Sequence, residues 1–375
     1  MQKVGILGGG QLGRMLLQAA ANYPVITYVL EKESNCPAGH LCHHFVKGDF
    51  NNYDDVYNFG KQVDALTIEI ESVNVDALEQ LEKEGVKIYP SPASLRIIKN
   101  KVIQKKFYKE NNIPTSDFVI TNKKLEVLNY EYLFPAVHKI GVGGYDGKGV
   151  VIIKNRDDTN NAFDVEAVLE KIVQIDKEIS LIIAVSNKGE KVFYPPVEMV
   201  FDPILNLLDY QLSPAILEDD IFYKVEAVAM AVVNGLNSAG VFAVELFVDK
   251  SGNVLVNETA PRVHNSGHHT IESNFSSQFD MLWRIILDFP LGNPSHIMPA
   301  AIVNLLGSEG FTGKVKYEGI DEVLALDDVF LHIYGKTETR PGKKMGHATI
   351  LSKDRQQLIH TAKKIKNAIK ISAES

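Results

Sequence analysis

Two glutamates interrupt apolar runs in the second half of the chain. Glu245 lies within Phe242 to Val248, and Glu258 directly follows Val254 to Asn257. Between the runs, Asp249-Lys250-Ser251-Gly252-Asn253 has the composition of a hairpin turn. If that turn has an even number of loop residues centred on Ser251-Gly252, Glu245 falls directly opposite Glu258 on one sheet face. Facing Cβ atoms then stand about 4.5–5.5 Å apart, and like charges at that distance need a cation or a proton between them. Oxygen-only donors suit magnesium, which takes one or two carboxylates and completes its shell with water and nucleotide phosphates. Asn257 can add an oxygen beside the second acid. The alternative is an odd-length turn that breaks this register and leaves both acids solvated.

The loop Gly143-Gly144-Tyr145-Asp146-Gly147-Lys148-Gly149 separates strand-like runs at Ala136–Ile140 and Val150–Lys154. It reads as a mobile flap whose amides close over a polyphosphate, with Lys139 as a point charge for the same phosphates. It is not a Walker A loop, because no Ser or Thr follows the lysine. Shortly after Glu258 come Arg262, His264 and Asn265, a bidentate anion binder, an imidazole and an amide. His268 and His269 read as structural. Lys336, Arg340, Lys343 and Lys344 surround Pro341-Gly342 and suggest a phosphate clamp. Gly8, Gly10 and Gly13 fit G-x-G-x-x-G, with Glu31 near the position of a ribose-binding acid. Glycines there let a helix N-terminus approach any phosphate, so a dinucleotide, a phosphorylated substrate and a plain tight turn all remain open. His40, His43 and His44 with Cys42 resemble a zinc site by composition alone.

The elements that must hold these residues fall into three parts. Residues 1–93 alternate strand and helix, which argues a parallel sheet covered on both faces. Tyr89-Pro90-Ser91-Pro92 closes that part. Residues 94–290 read as α+β, with helical spacing at Ile221, Val225, Val228 and Val232 and again at Phe275, Phe279, Leu282 and Ile286. Residues 291–375 add short strands at Ala301–Leu305 and His332–Tyr334, then an amphipathic helix around Leu358 to Ile369. With 375 residues, 45% of them hydrophobic, the chain has ordinary globular composition. A net charge of −8 gives no general hold on nucleic acid. Two cysteines without C-x-x-C spacing, and no run of about 18 apolar residues, point to an intracellular, most simply cytoplasmic protein with no membrane partner.

Four segments, GGGQLGRML at 8–16, GGYDGKG at 143–149, NETAPRVHNSGH at 257–268 and RPGKKMGH at 340–347, resemble the ATP-grasp superfamily. Within it the match narrows to the 5-(carboxyamino)imidazole ribonucleotide synthetases of purine biosynthesis. The resemblance implies an ATP-grasp fold with an N-terminal Rossmann-like, substrate-binding domain and a small C-terminal domain. It implies a homodimer that uses Mg2+, ATP and bicarbonate to carboxylate 5-aminoimidazole ribonucleotide. By the same resemblance, Lys101 and Lys139 contact ATP phosphates, Gly144, Tyr145, Asp146, Gly147, Lys148, Gly149 and Val150 cover them, and Glu170, Lys171, Ile172 and Val173 bind adenine. Glu178 would take the ribose, Asn257 and Glu258 the nucleotide, and Glu245 and Glu258 the metal. Gln11, Leu12, Glu71, Tyr145, Asp146, Lys336, Arg340 and Lys343 would hold the ribonucleotide, while Arg262, His264, Asn265 and Lys336 would serve the chemistry, His264 as a candidate base. Lys101 stands where arginine is common, Ile140-Gly141 replace a basic pair, and Phe201 replaces a frequent histidine. The same motifs leave three alternatives, a formate-dependent glycinamide ribonucleotide transformylase, a nicotinamide-dependent oxidoreductase and a non-catalytic nucleotide-binding module.

Overall fold

The computed structural model describes residues 1–144, 149–201 and 208–374. The N-terminal strands β1 (Gln2–Leu7), β2 (Val25–Glu31), β3 (His44–Lys47), β4 (Ala65–Ile68) and β5 (Lys87–Tyr89) pair in the order β3-β2-β1-β4-β5, all parallel. Helices α1 (Gln11–Ala20), α2 (Tyr53–Gly60) and α3 (Val75–Lys83) connect them. β4 is buried at every position, as a strand covered on both faces must be. β3 and α2 were not anticipated. β3 is an edge strand with no fully buried residue, so it carries no apolar alternation. α2 is set by its cap, the Asn52 side chain accepting from the Asp55 amide.

The chain leaves this sheet through α4 (Pro92–Lys99), capped by Ser91. Leu95 packs into the core around α2 and α3, whereas Ile98 packs into the next core, so one helix serves both. After α5 (Lys101–Glu110), strands β6 (Phe118–Thr121), β7 (Ala136–Ile140), β8 (Val150–Ile153) and β9 (Ala167–Lys171) form an antiparallel sheet ordered β6-β9-β7-β8.

The largest sheet begins with β10 (Ile175–Val185), β11 (Lys191–Phe193), β12 (Val197–Phe201) and β13 (Leu208–Ser213). It continues, after α6 (Asp219–Leu236), with β14 (Gly240–Asp249) and β15 (Val254–Ala260). Next come α7 (Thr270–Ser273) and α8 (Gln278–Ile286), then β16 (Ala300–Leu306), β17 (Gly313–Glu318), α9 (Ile320–Leu324), β18 (Val329–Ile333), β19 (Glu338–Thr339), β20 (Lys344–Leu351), α10 (Arg355–Ala368) and β21 (Lys370–Ala373). Among the described residues nine strands join, in the order β15-β14-β10-β12-β13-β16-β20-β18 with β11 on β10. The C-terminal strands β16, β18 and β20 thus extend the sheet that carries the acid pair. β17, β19 and β21 form a separate small sheet.

A shared core fastens α1 to α8: Trp283 is fully buried and its indole N–H donates to the Leu16 carbonyl at 2.7 Å. Phe275 departs from the expected helical stripe. It precedes α8, whose N-cap is Ser277, and is 64% exposed. Among the described residues no helix is long and apolar enough to cross a membrane.

Candidate active site

The hairpin of β14 and β15 pairs Val248 with Val254, Phe247 with Leu255 and Leu246 with Val256, which centres the turn on Ser251. The turn is therefore odd, not the even one expected from its sequence. Asp249 fixes it, its Oδ1 accepting the amides of Ser251 at 2.8 Å and Asn253 at 2.9 Å. Continued unbroken, this register would set Glu245 against Asn257. It is broken between Leu246 and Glu245, where Asn257 is left over as a bulge, and Glu245 pairs with Glu258 after all. A neighbouring segment holds the kink: the Val256 amide donates to the Pro114 carbonyl at 2.8 Å, and the Val256 carbonyl accepts from Thr115 Oγ1 at 2.8 Å.

The two acids differ electrically. Lys101 Nζ lies 2.5 Å from Glu258 Oε2 and, more than any other group, holds that carboxyl below the usual range. Burial first, and Glu258 second, push the Glu245 carboxyl up. His264 Nε2 stands 3.7 Å from its Oε1. Two carboxylates and the Asn257 amide oxygen make an all-oxygen donor set of the kind a hard divalent cation takes. Among the described residues no group of three or more His, Cys, Asp or Glu could hold a metal unaided. A cation here would need phosphate or water oxygens as well. The same finding removes His40, His43, His44 and Cys42 as a zinc site; His43 Nδ1 instead contacts Thr27 Oγ1 at 2.9 Å.

Beside the acids lies a buried charge cluster. Lys139 Nζ on β7 donates to Asn257 Oδ1 at 3.1 Å and pairs with Glu170 Oε1 at 3.2 Å. Glu170 Oε2 pairs with Lys105 Nζ at 2.8 Å, both side chains at most 5% exposed. Burial pushes Glu170 up, but Lys139 and Lys105 outweigh it and hold the carboxyl at about 2. Sequence reasoning overlooked Lys105. Its signal was its place on α5, three residues from both Val102 and Tyr108 on the buried stripe, where an uncompensated lysine is costly.

In the adenine-binding candidates Glu170 to Val173, the Lys171 amide donates to the Asp117 carbonyl at 2.9 Å and the Ile172 amide to the Pro135 carbonyl at 3.2 Å. The Val173 amide has no hydrogen bond to any described residue. Burial raises Glu178 to about 7 against the opposing pull of Lys139. Val150 opens β8 directly across from Lys139. Tyr145, Asp146, Gly147 and Lys148 lie outside the described residues.

The N-terminal glycine turn spends its amides internally. Gly10 and Gly13 donate to Glu69 Oε1 and Oε2, each at 2.8 Å, and Gly9 donates to Glu31 Oε2 at 2.9 Å. A dinucleotide pyrophosphate needs those same donors, so neither the dinucleotide reading nor a ribose role for Glu31 fits. Gly8, at φ +102°, is required as well, since a Cβ there would lie 2.5 Å from Glu69 Cγ.

Gln11, Leu12, Glu71, Lys101, Gly144, Glu258, Arg262, His264 and Asn265 all line one cleft of about 360 Å3. Arg262 Nη2 pairs with Glu71 Oε1 at 2.8 Å. The Ser266 amide donates to His264 Nδ1 at 3.4 Å. Ser266 Oγ adds a 3.0 Å contact to Nδ1 and is itself 2.7 Å from Ser180 Oγ. From the basic C-terminal group, Lys344 lines the cleft. Lys336 Nζ donates to the Lys344 carbonyl at 2.7 Å, while Lys343 Nζ turns to the Glu338 carbonyl at 2.7 Å. Arg340 is exposed, and neither it nor Lys343 is among the cleft-lining residues. His268 and His269 are both buried, and His268 also borders the cleft.

Residues 1–99 match the ribonucleotide synthetase preATP-grasp domain, 106–279 the ATP-grasp domain, and 300–361 the phosphoribosylaminoimidazole carboxylase C-terminal domain. The chain is 37% identical to the chloroplastic phosphoribosylaminoimidazole carboxylase of Vigna aconitifolia over 93% of its own length, but spans only 64% of that protein. It is 32% identical to the N5-carboxyaminoimidazole ribonucleotide synthase of Brucella melitensis, covering 92% of this chain and 95% of that one. Its structure is similar to that of N5-carboxyaminoimidazole ribonucleotide synthetase from Thermotoga maritima, with a TM-score of 0.93 and 38% identity over 100% of both chains. It is also similar to the N5-carboxyaminoimidazole synthase of Aspergillus clavatus in complex with ADP and 5-aminoimidazole ribonucleotide, with a TM-score of 0.88 and 29% identity over 98% of both chains.

Proposed function

Because the chain belongs to the N5-carboxyaminoimidazole ribonucleotide synthase family, we propose that it carboxylates 5-aminoimidazole ribonucleotide at the expense of ATP and bicarbonate. The products are N5-carboxyaminoimidazole ribonucleotide, ADP and phosphate, a step of purine biosynthesis. The observation that carries this reading is that Lys101, Glu258 and Arg262 line one cleft, with Glu245 paired across the hairpin from Glu258 and Lys139 held directly behind it on Asn257. That arrangement suits a triphosphate and its cation, and the Aspergillus relative holds ADP and the ribonucleotide together.

A bicarbonate oxygen attacks the γ-phosphorus, ADP leaves, and carboxyphosphate results. Lys139 and Arg262 neutralise charge spreading over the transferred group, where positioning and electrostatics supply most of the rate. Magnesium, held by Glu245 and Glu258 with the phosphates, would supply further charge neutralisation. The exocyclic amine then attacks the carboxyl carbon, or carbon dioxide released from it; phosphate departs and the nitrogen loses a proton. His264 lines the cleft with Nε2 3.7 Å from Glu245, where it would orient the carboxyl group or take the proton the amine loses. Asn265 lies beside it in the cleft. Gln11, Leu12 and Glu71 would face the ribonucleotide, and Lys336 its phosphate. A homodimer in the cytoplasm completes the reading.

The deciding experiment measures phosphate release with each substrate omitted in turn. Release should require ATP, bicarbonate and 5-aminoimidazole ribonucleotide together. Release that needs formate and glycinamide ribonucleotide instead would replace this reading with the transformylase.

A further inference from the structure

Lys101 lines the cleft while Lys105 and Lys139 stand behind it on Glu170, and the structure distributes the three lysines unequally. Lys101 is committed to Glu258. Lys105 Nζ gives its three hydrogens to Glu170 Oε2 at 2.8 Å, Thr115 Oγ1 at 2.6 Å and Ser116 Oγ at 3.2 Å. Its donors are all used and its side chain is 3% exposed, so it does not reach a nucleotide. Lys139 has two partners, Glu170 at 3.2 Å and Asn257 at 3.1 Å, with its side chain 15% exposed.

We propose that Lys105 is a positioning residue that neutralises Glu170 from behind and so leaves the charge of Lys139 available to the triphosphate. The inference rests on the reading of Lys139 as a phosphate contact. Burial lowers Lys105 only to about 8, so at pH 7 two ammonium groups on one buried carboxylate leave a net charge of +1 on this group of three. Without Lys105, Glu170 keeps a single cation, and a buried carboxylate does not release its last partner cheaply. Lys139 would then be locked into a neutral pair. Ser116 Oγ, which donates to Glu170 Oε2 at 2.6 Å, carries no charge to replace it.

This arrangement makes a prediction that a merely structural lysine does not. Lys105→Met should lose affinity for ATP, but Lys105→Met combined with Glu170→Gln should regain it, because the Glu170 carboxylate is turned to Lys105, Lys139 and Ser116, and with it neutralised Lys139 is the one charge left in that group of three. Titrating each variant with MgATP and, separately, with adenosine separates phosphate effects from base effects. Lys105→Met should bind ATP about ten- to a hundredfold more weakly, one unit charge lost at short range, while adenosine binding changes little. In turnover the loss should appear in the KM for ATP, with the KM for bicarbonate unchanged. ATP affinity of Lys105→Met equal to wild type, or no recovery in the double variant, would overturn the inference. Should Lys105→Met not fold, the double variant decides: affinity near wild type supports the proposal, and affinity as low as that of Lys139→Met refutes it. Wild-type ATP affinity left intact by Lys139→Met would instead remove the reading of Lys139, and the inference with it.

Discussion

Glu258 stands directly across from Glu245, one residue out of step with the rest of its hairpin, because Asn257 is pushed out as a bulge. The extruded residue is put to use, its Oδ1 accepting from Lys139 at 3.1 Å. Asn257→Ala keeps the bulge but removes that acceptor. That neutral acceptor orients the Lys139 ammonium without cancelling its charge, and a hydrogen bond to a charged group contributes about 1.5–3 kcal/mol, so the KM for ATP should rise, by up to roughly tenfold. An unchanged KM would detach Asn257 from the nucleotide site.

Glu258→Gln should abolish ADP formation without unfolding the chain. The side chain is 44% exposed on the cleft, so its loss costs little packing, whereas removing one electrostatic stabiliser of a transition state costs about 10²–10³ in rate. Circular dichroism should be unchanged. Near-normal turnover would refute the metal assignment.

Removing divalent cations with a chelator should stop phosphate release, and added magnesium should restore it. Glu245→Gln should raise the magnesium concentration needed, since it removes one of the two carboxylates. Full activity in chelator would leave the paired acids without a role.

Glu178 gives a pH-dependent signature. Its folded carboxyl, raised to about 7 from an ordinary 4.5, binds its proton more tightly than the unfolded chain does. This group's contribution to stability is therefore fully present below about pH 4.5 and is lost as the pH rises toward 7. Glu178→Gln should match wild type in denaturant stability at pH 4 and exceed it at pH 8, by about 1–3 kcal/mol. Equal stability at both pH values would contradict the assigned shift.

Glu69 tests the reassignment of the glycine turn. Glu69→Ala leaves the Gly10 and Gly13 amides without their acceptor and should destabilise the N-terminal sheet by about 2–4 kcal/mol, read as a lower denaturant midpoint. Fluorescence titration of the wild type with NADH should show no saturable binding. Saturable binding would revive the oxidoreductase reading.

Strands and helices with clear apolar spacing, such as β7 and α6, are legible along the chain, as is the oddity of two acids in apolar runs. The sequence also carried the four motifs of the family. Those are local patterns, written in spacing along the chain. What brings Glu245 to Glu258 was decided elsewhere: the turn has the wrong parity, and contacts from Pro114 and Thr115, about 140 residues upstream of Val256, hold the bulge that corrects it. The glycine fingerprint reads alike whether its amides meet a phosphate or Glu69, which lies 59 positions from Gly10. Lys105 is one lysine among many until Glu170 folds against it, and β16, β18 and β20 show their membership of the acid pair's sheet only once β13 pairs with β16. Register, capping and charge balance depend on which distant groups meet, and a one-dimensional pattern does not contain that distance.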